Sequence, residues 1–395
     1  MSPLTRICEL VREVDERKPP SSTVVFSVSE GRGIVPQSEI FTKQIATTDK
    51  SKYRRIQYGD VVYNPYLLWN RAVGVCFSGG GGCVSPAYPV LRPLQTGVER
   101  FLHYFFRSPT FTNAIDAIAT GSVTRRRTAP LTEILDLEFE LPSFGDQRNA
   151  NHLLSVLDKK IELNRQMNKT LEILAQSLFK SWFMDTTQAS LPKGWRELPL
   201  SQAIEVNPPR QLRKGEIAPY LEMANLPTQS ARALDVANRE FSSGMRFKNG
   251  DTLVARITPC LENGKTCFVD FLRDGEIGWG STEYLVLQPK PPLPPEFAYF
   301  LARTEELRVF MISNMTGTTG RQRVPAECLD NFKIAIPPAK IAEEFGQFAS
   351  AVFAQMKAHD EESRTLAALR DALLPKLLSG ELRVPAAAKL TEARA

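Results

Sequence analysis

No close cysteine pair occurs in this chain. Its six cysteines, Cys8, Cys76, Cys83, Cys260, Cys267 and Cys328, form no CxxC, and its three histidines, His103, His152 and His359, are scattered. A zinc site needs four converging ligands, usually including a tight pair, so no metal centre is expected and the thiols read as small buried groups in a reducing compartment. Long apolar runs are also missing, and nothing approaches the roughly 20 uncharged residues that cross a bilayer. The first 20 residues carry Arg6, Glu9, Arg12, Glu13, Asp15, Glu16, Arg17 and Lys18 where a secretion signal would need an unbroken apolar stretch. A soluble, cytoplasmic protein is expected. Charge of one sign is scarce too: 49 Lys and Arg against 44 Asp and Glu leave a formal +5. That excludes a histone-like polycation but allows a local basic cluster to bind nucleic acid. With 43% hydrophobic and 24% charged residues the composition is that of a globular protein, and 395 residues predict more than one domain at roughly 100 to 200 residues each.

Catalytic signatures are equally sparse. There is no G-x-x-x-x-G-K-[ST] phosphate loop, so ATP hydrolysis is not expected, and no local signature marks a Ser-His or Cys-His nucleophile. Phe77-Ser78-Gly79-Gly80-Gly81 fits a loose methyltransferase cofactor loop, and Asn207-Pro208-Pro209 begins the element that methylases use on a flipped adenine. The first runs into a proline-containing strand rather than opening a helix, and Arg210 stands where a stacking aromatic is required. A hairpin turn and a proline-rich loop are the expected structures. Asp158 and Lys160 form a D-x-K on a helical stretch with no acidic partner nearby, which reads as a solvated helix face rather than a nuclease site. The Pro289 to Pro295 stretch reads as a stiff connector.

The chain repeats itself at a period of about 195 residues. Phe101, Tyr104 and Phe105 answer to Phe297, Phe300 and Leu301; Leu141-Pro142 answers to Ile336-Pro337; Gly59-Asp60 answers to Gly250-Asp251. Each half opens with short alternating runs broken by Gly, Pro and Asn, read as strands, and closes with one long helix, Asp146 to about Met184 and Lys340 to about Ser379. In the first helix Leu154, Leu157, Ile161, Asn164, Asn168, Leu171, Ala175 and Leu178 follow steps of three and four. In the second, Ala349, Val352, Met356, His359, Ser363, Leu366, Arg370 and Leu373 do the same. Both seams turn polar at mid-helix, a feature that costs stability but can fix register. Helices of this length need a partner, and an internal antiparallel pair related by a pseudo-two-fold is expected; packing of each helix on its own module, or against another chain, stays open.

Two basic loops occupy matching places in the repeat. Thr120-Gly121-Ser122 precedes Arg125-Arg126-Arg127, and Thr316-Gly317-Thr318-Thr319-Gly320 precedes Arg321-Gln322-Arg323. Glycine lets backbone approach a phosphate, hydroxyls donate to its oxygens, and arginine can engage phosphate or guanine O6 and N7 in bidentate fashion, while glutamine suits adenine. One such loop is often a solvated surface; a matched pair is a candidate DNA-binding site.

With these features in place the chain resembles the specificity subunit of type I restriction-modification systems over nearly its whole length. Gly33 to Pro65 is similar to one version of that family's target recognition domain, and Gly250 to Val269, with GSTEYLVLQP and TGTTGRQRVP, to another. Leu153 to Asp185 is similar to the central spacer helix, and LPKGWRELPL to the start of a second recognition domain. The resemblance implies an α+β fold with two mixed, strand-rich recognition domains, 1–145 and 187–338, joined by long helices in 146–186 and 339–395 that form an antiparallel coiled coil. It implies that each domain reads half of a bipartite, asymmetric site in double-stranded DNA, that the helices set the spacer, and that two modification subunits and restriction subunits join the complex. This chain is then non-catalytic and holds no cofactor, S-adenosylmethionine, ATP and Mg residing in the partners. The competing readings are a stand-alone DNA adenine methyltransferase, a non-specific nucleic-acid binder and a structural coiled-coil adaptor.

Overall fold

The computed structural model describes residues 3–20, 22–39, 49–120, 127–184, 191–318 and 320–385. Two compact units emerge, one comprising Met1–Ile161 with Arg364–Ala395, the other Glu162–Ser363. Each long helix is therefore divided near its middle.

Each unit is built on a four-stranded antiparallel sheet, and the strand order is the same in both. In the first the order is Val11–Val14, Val90–Pro93, Val61–Tyr63, Val73–Val75; in the second it is Ile204–Val206, Tyr284–Pro289, Thr252–Ala255, Thr266–Phe268. The registers agree as well, Val61 facing Leu91 and Thr252 facing Leu287. Both central strands follow a Gly-Asp turn. Gly59 and Gly250 have φ of 90° and 88°, a left-handed conformation that favours glycine, and the buried Asp60 and Asp251 accept from the backbone N–H of Gln57 and Lys248 at 2.9 and 2.7 Å.

Two short helices follow each sheet, Glu99–Phe105 with Pro109–Ile118 and Glu296–Ala302 with Glu305–Ser313. The second of each pair is N-capped in the same way, Ser108 Oγ accepting from the Phe111 N–H and Thr304 Oγ1 from the Leu307 N–H. The repeated aromatics Phe101, Phe105, Phe297 and Phe300 are fully buried and anchor the two cores. A last strand then returns to the first, Glu138–Glu140 pairing with Leu4–Arg6 and Lys333–Ile336 with Arg196–Pro199. The modules diverge elsewhere. The second carries an additional mixed sheet in which Ile217–Leu221 and Gly278–Gly280 run parallel, whereas the first has two separate two-stranded antiparallel pairs, Phe26–Ser29 with Gly33–Pro36 and Arg54–Ile56 with Gly82–Val84.

The long helices run over Phe144–Phe179, continued by a π-helical turn at Lys180–Met184, and Ala339–Ser379. Within the first unit they meet antiparallel, Arg370 Nη1 donating to Asp158 at 3.0 Å and Leu377 sharing a core with Leu154. Within the second they are antiparallel too: Asn164 Nδ2 donates to the His359 carbonyl at 3.3 Å, Glu362 at 2.8 Å and Ser363 Oγ at 3.2 Å, and the Phe179 and Phe345 rings lie 5.6 Å apart. Asn168 completes the polar layer, donating to Asp360 and facing His359 Nδ1 at 2.8 Å.

Two expectations are revised by this packing. The second helix keeps the three-four seam unbroken, with Val352 and Met356 buried and Leu366 and Leu373 half-buried. The first keeps it through Leu154, Leu157, Ile161, Asn164 and Asn168; beyond them the seam residue Ala175 is still buried, but Glu172 and Phe179 are buried in place of Leu171 and Leu178, which are half-buried. A straight helix at 3.6 residues per turn drifts from a 3.5 repeat, and here Phe179 turns onto Phe297 and Phe300 of the module core. Asp158 is not on a solvated face. Only 10% of its side chain is exposed, and it receives Tyr104 OH at 2.8 Å, Arg370 and Arg100, because its helical turn lies on the first module rather than in water. The proline stretch ends in packing: a Cβ on Gly346 would come within 2.9 Å of Pro294 Cβ.

Candidate nucleic-acid interface

Both basic loops are closed at the base by an antiparallel bridge. Thr120 and Thr128 exchange two backbone hydrogen bonds of 3.1 Å, and Thr316 and Arg323 exchange bonds of 2.9 and 2.8 Å. The two bridges therefore stand at equivalent places, each just after a capped helix, Pro109–Ile118 or Glu305–Ser313. Gly121, Ser122, Arg125, Arg126 and Thr319 lie outside the described residues.

In the first loop Arg127 is turned inward. Its Nη1 donates to Asp116 at 2.8 Å and its Nη2 to the Asp116 carbonyl at 2.8 Å, so the end-on fork that could grip a phosphate or guanine is occupied within the chain. The sequence places Arg127 with its neighbours as a DNA contact; the structure ties it to the preceding helix.

The second loop is open. Gly317 and Gly320 adopt φ of 119° and 83°, shaping a turn in which the Arg321 N–H donates to the Thr318 carbonyl at 2.9 Å. Thr316, Thr318 and Arg321 are exposed, and among the described residues the Arg321 guanidinium has no ion-pair partner. Gln322 is half-buried, its carbonyl accepting from the Thr258 N–H at 3.1 Å. Arg323 is 47% exposed and donates from Nε to Glu283 at 2.7 Å. The other oxygen of Glu283 accepts from Nε of Arg256 at 3.4 Å. Arg256 and Glu283 were not legible as site residues: they lie in the family-like segments Gly250 to Val269 and GSTEYLVLQP, but nothing in either segment singles them out, and they reach Arg323 only because the Val324 N–H bonds to the Arg256 carbonyl and the Arg256 N–H to the Glu283 carbonyl.

The methyltransferase-like segments serve structural roles. Ser78 to Gly81 close a turn between strands Val73–Val75 and Gly82–Val84, with no helix following. Asn207 is left-handed at φ 55°, and its Oδ1 accepts from the Val286 N–H at 2.9 Å. Arg210 turns into the module to pair with Asp251. Burial pushes the Cys267 thiol up to about 12 and drives the His103 imidazole down to about 3, away from nucleophilic or acid-base use at neutral pH. Among the described residues no group of His, Cys, Asp and Glu is placed to hold a metal ion, and no helix is long and apolar enough to cross a membrane.

Fold and site together define an internally duplicated α+β protein in which each module presents a loop at the same point and shares a pair of long helices. No family model matches the sequence. The chain is 24% identical over 319 residues to the type I restriction enzyme MjaIX specificity subunit of Methanocaldococcus jannaschii, covering 74% of this chain and 71% of that one. It is 28% identical over 176 residues to the EcoEI specificity subunit of Escherichia coli, covering 43% and 30%, and 31% identical over 134 residues to the HindI specificity subunit of Haemophilus influenzae, covering 33% and 29%. The last two matches thus span less than a third of those relatives. A crystal structure of a type I restriction-modification S subunit from M. genitalium shares the fold, with a TM-score of 0.58 at 15% identity over 96% of each chain. The chain is a relative of the type I restriction enzyme specificity subunits.

Proposed function

We propose that this chain is the DNA sequence-recognition subunit of a type I restriction-modification complex, each strand-rich module reading one half of a bipartite, asymmetric site in double-stranded DNA. The observation that carries this reading is the duplication itself: one strand order, one capped helix pair and one bridged loop occur twice in a chain related to specificity subunits. Loops with unlike contents at equivalent places suit two different half-sites. The sugar-phosphate contacts would fix register, and base edges in the major groove would supply sequence.

The helices would set the unspecified spacer. At 1.5 Å per residue the 36 residues of the first make about 54 Å, longer than the roughly 34 Å between half-sites one turn apart. They would also seat modification subunits. Val156, Leu163, Met167 and Leu174 recur on one face of the first helix at steps of seven and four and are exposed, an apolar stripe that supports a helical partner. S-adenosylmethionine, ATP and magnesium would be held by modification and restriction subunits, leaving this chain non-catalytic. Methylome sequencing of a host with and without this chain, its modification partner present, tests the proposal. Loss of one bipartite adenine-methylation motif is expected. An unchanged methylome would overturn it.

A further inference from the structure

Glu283 stands between two arginines in the second module, and each of its carboxylate oxygens takes one of them. Oε1 accepts from Arg323 Nε at 2.7 Å and Oε2 from Arg256 Nε at 3.4 Å. A guanidinium bound only through Nε keeps its end-on edge, the two Nη groups, available. Among the described residues neither Arg256 nor Arg323 uses that edge, and their side chains are 29% and 47% exposed. Arg127 shows the opposite arrangement, its Nη groups consumed by Asp116.

The backbone that carries this carboxylate is held firmly. The Glu283 N–H donates to Ser281 Oγ at 3.1 Å, the Glu283 carbonyl accepts from the Arg256 N–H at 3.0 Å, and the next residue, Tyr284, is fully buried. Arg323 is fixed from its own side by the bridge to Thr316. Counting from the paired residues Val61 and Leu91 in one module and Thr252 and Leu287 in the other, Pro65 and Ala87 occupy the places of Arg256 and Glu283. The clamp belongs to the second module.

We propose that Glu283 is a positioning residue that holds the Arg256 and Arg323 forks ready for two adjacent acceptor atoms on duplex DNA, either guanine O6 and N7 or two oxygens of one phosphate. The inference rests on the recognition reading above and names the groups that perform it. Preorganisation is the physical gain: a long arginine loses much rotamer freedom on binding, and a fork already oriented loses less. By charge alone the carboxylate opposes DNA, so its removal would tighten binding. The positioning role requires the reverse, and that difference in sign makes the idea testable.

The experiment uses the full chain assembled with its modification subunits and a duplex bearing the motif found by methylome sequencing. Each guanine of the motif is replaced in turn by 7-deazaguanine, and binding is followed over a salt series for wild type, Glu283→Ala, Glu283→Gln and the Arg256→Ala, Arg323→Ala double variant. Glu283→Ala is expected to weaken binding roughly tenfold. Glu283→Gln, with one acceptor oxygen in place of two, should fall between. If the forks read guanine, the 7-deaza penalty at one or two positions disappears in Glu283→Ala and in the double variant. If they hold phosphate, the 7-deaza profile persists and the salt dependence of the double variant flattens by about two charges. Equal or tighter binding by Glu283→Ala, with an unchanged profile and slope, would overturn the positioning role while leaving recognition intact. A wild-type complex without preference for any motif would overturn both. Matching melting temperatures among the variants separate loss of positioning from loss of fold.

Discussion

Arg210 and Asp251 form a buried ion pair in the second module at the place where Arg92 and Asp60 form one in the first, yet the two arginines come from different elements. Arg92 lies on the strand Val90–Pro93 and donates to Asp60 from Nε at 2.9 Å and Nη2 at 3.0 Å. In the second module the equivalent strand carries Gln288, and Arg210 reaches in from the preceding loop, its Nη2 also donating to Gln288 at 3.2 Å. The aspartate of the Gly-Asp turn is needed for its backbone bond, so a cation must accompany it, and either direction of approach serves.

That substitution of one source for another can be tested by reversal. Arg210→Ala leaves the Asp251 carboxylate buried without its cation and is expected to cost about 3 to 5 kcal/mol in a urea titration. Adding Gln288→Arg to that variant places a guanidinium where Arg92 stands in the first module and should restore a large part of the loss. No recovery in the double variant would show that the two pairs are not equivalent.

The drift of the first helix's seam predicts a contrast between neighbours. Phe179, fully buried among Phe297, Phe300 and Phe345, should cost about 3 to 5 kcal/mol when changed to alanine. Leu178, half-buried, should cost about 1 kcal/mol. Equal losses in thermal or urea unfolding would return the seam to its strict heptad form.

Glu172 gives a pH dependence. Burial holds its carboxyl above the ordinary range, against the lowering effect of Tyr299 OH, Arg303 and the Ala231 N–H. The folded protein therefore keeps this proton over a window where the unfolded chain has lost it. The associated stability is complete at pH below the unfolded value and is lost as pH rises through the folded one. Relative to Glu172→Gln, wild type should gain melting temperature as pH falls from neutrality toward 5. A pH-independent difference between the two would contradict this.

The exposed arginines of the second loop predict a salt effect. Arg321→Ala with Arg323→Ala should weaken duplex binding and reduce the slope of log affinity against log salt by about 1.8 if both contact phosphate. An unchanged slope would remove both from the phosphate-binding surface.

Much of the architecture could be read in advance from the repeat. Phe101 and Phe297 recur because both fill the same buried position, and such positions tolerate few residue types. The long helices were visible from their period. The drift at Glu172 was not, because it depends on the module core that the helix's last turns meet. Asp158 looked solvated for the same reason: its partners Tyr104, Arg100 and Arg370 lie far off in sequence.

The loops divide along the same line. Residue types alone marked Thr316 to Arg323 as a basic, glycine-shaped turn, since φ preference and charge are properties of single residues. Which arginine fork is free depends on who sits beside it. Asp116 closes Arg127, whereas Glu283 takes Arg323 by Nε and brings in Arg256 from a strand end. A sequence fixes composition and period, which are local. Partnership between charges distant in the chain is created by folding, because only the sheet and its turns bring such groups within hydrogen-bond reach.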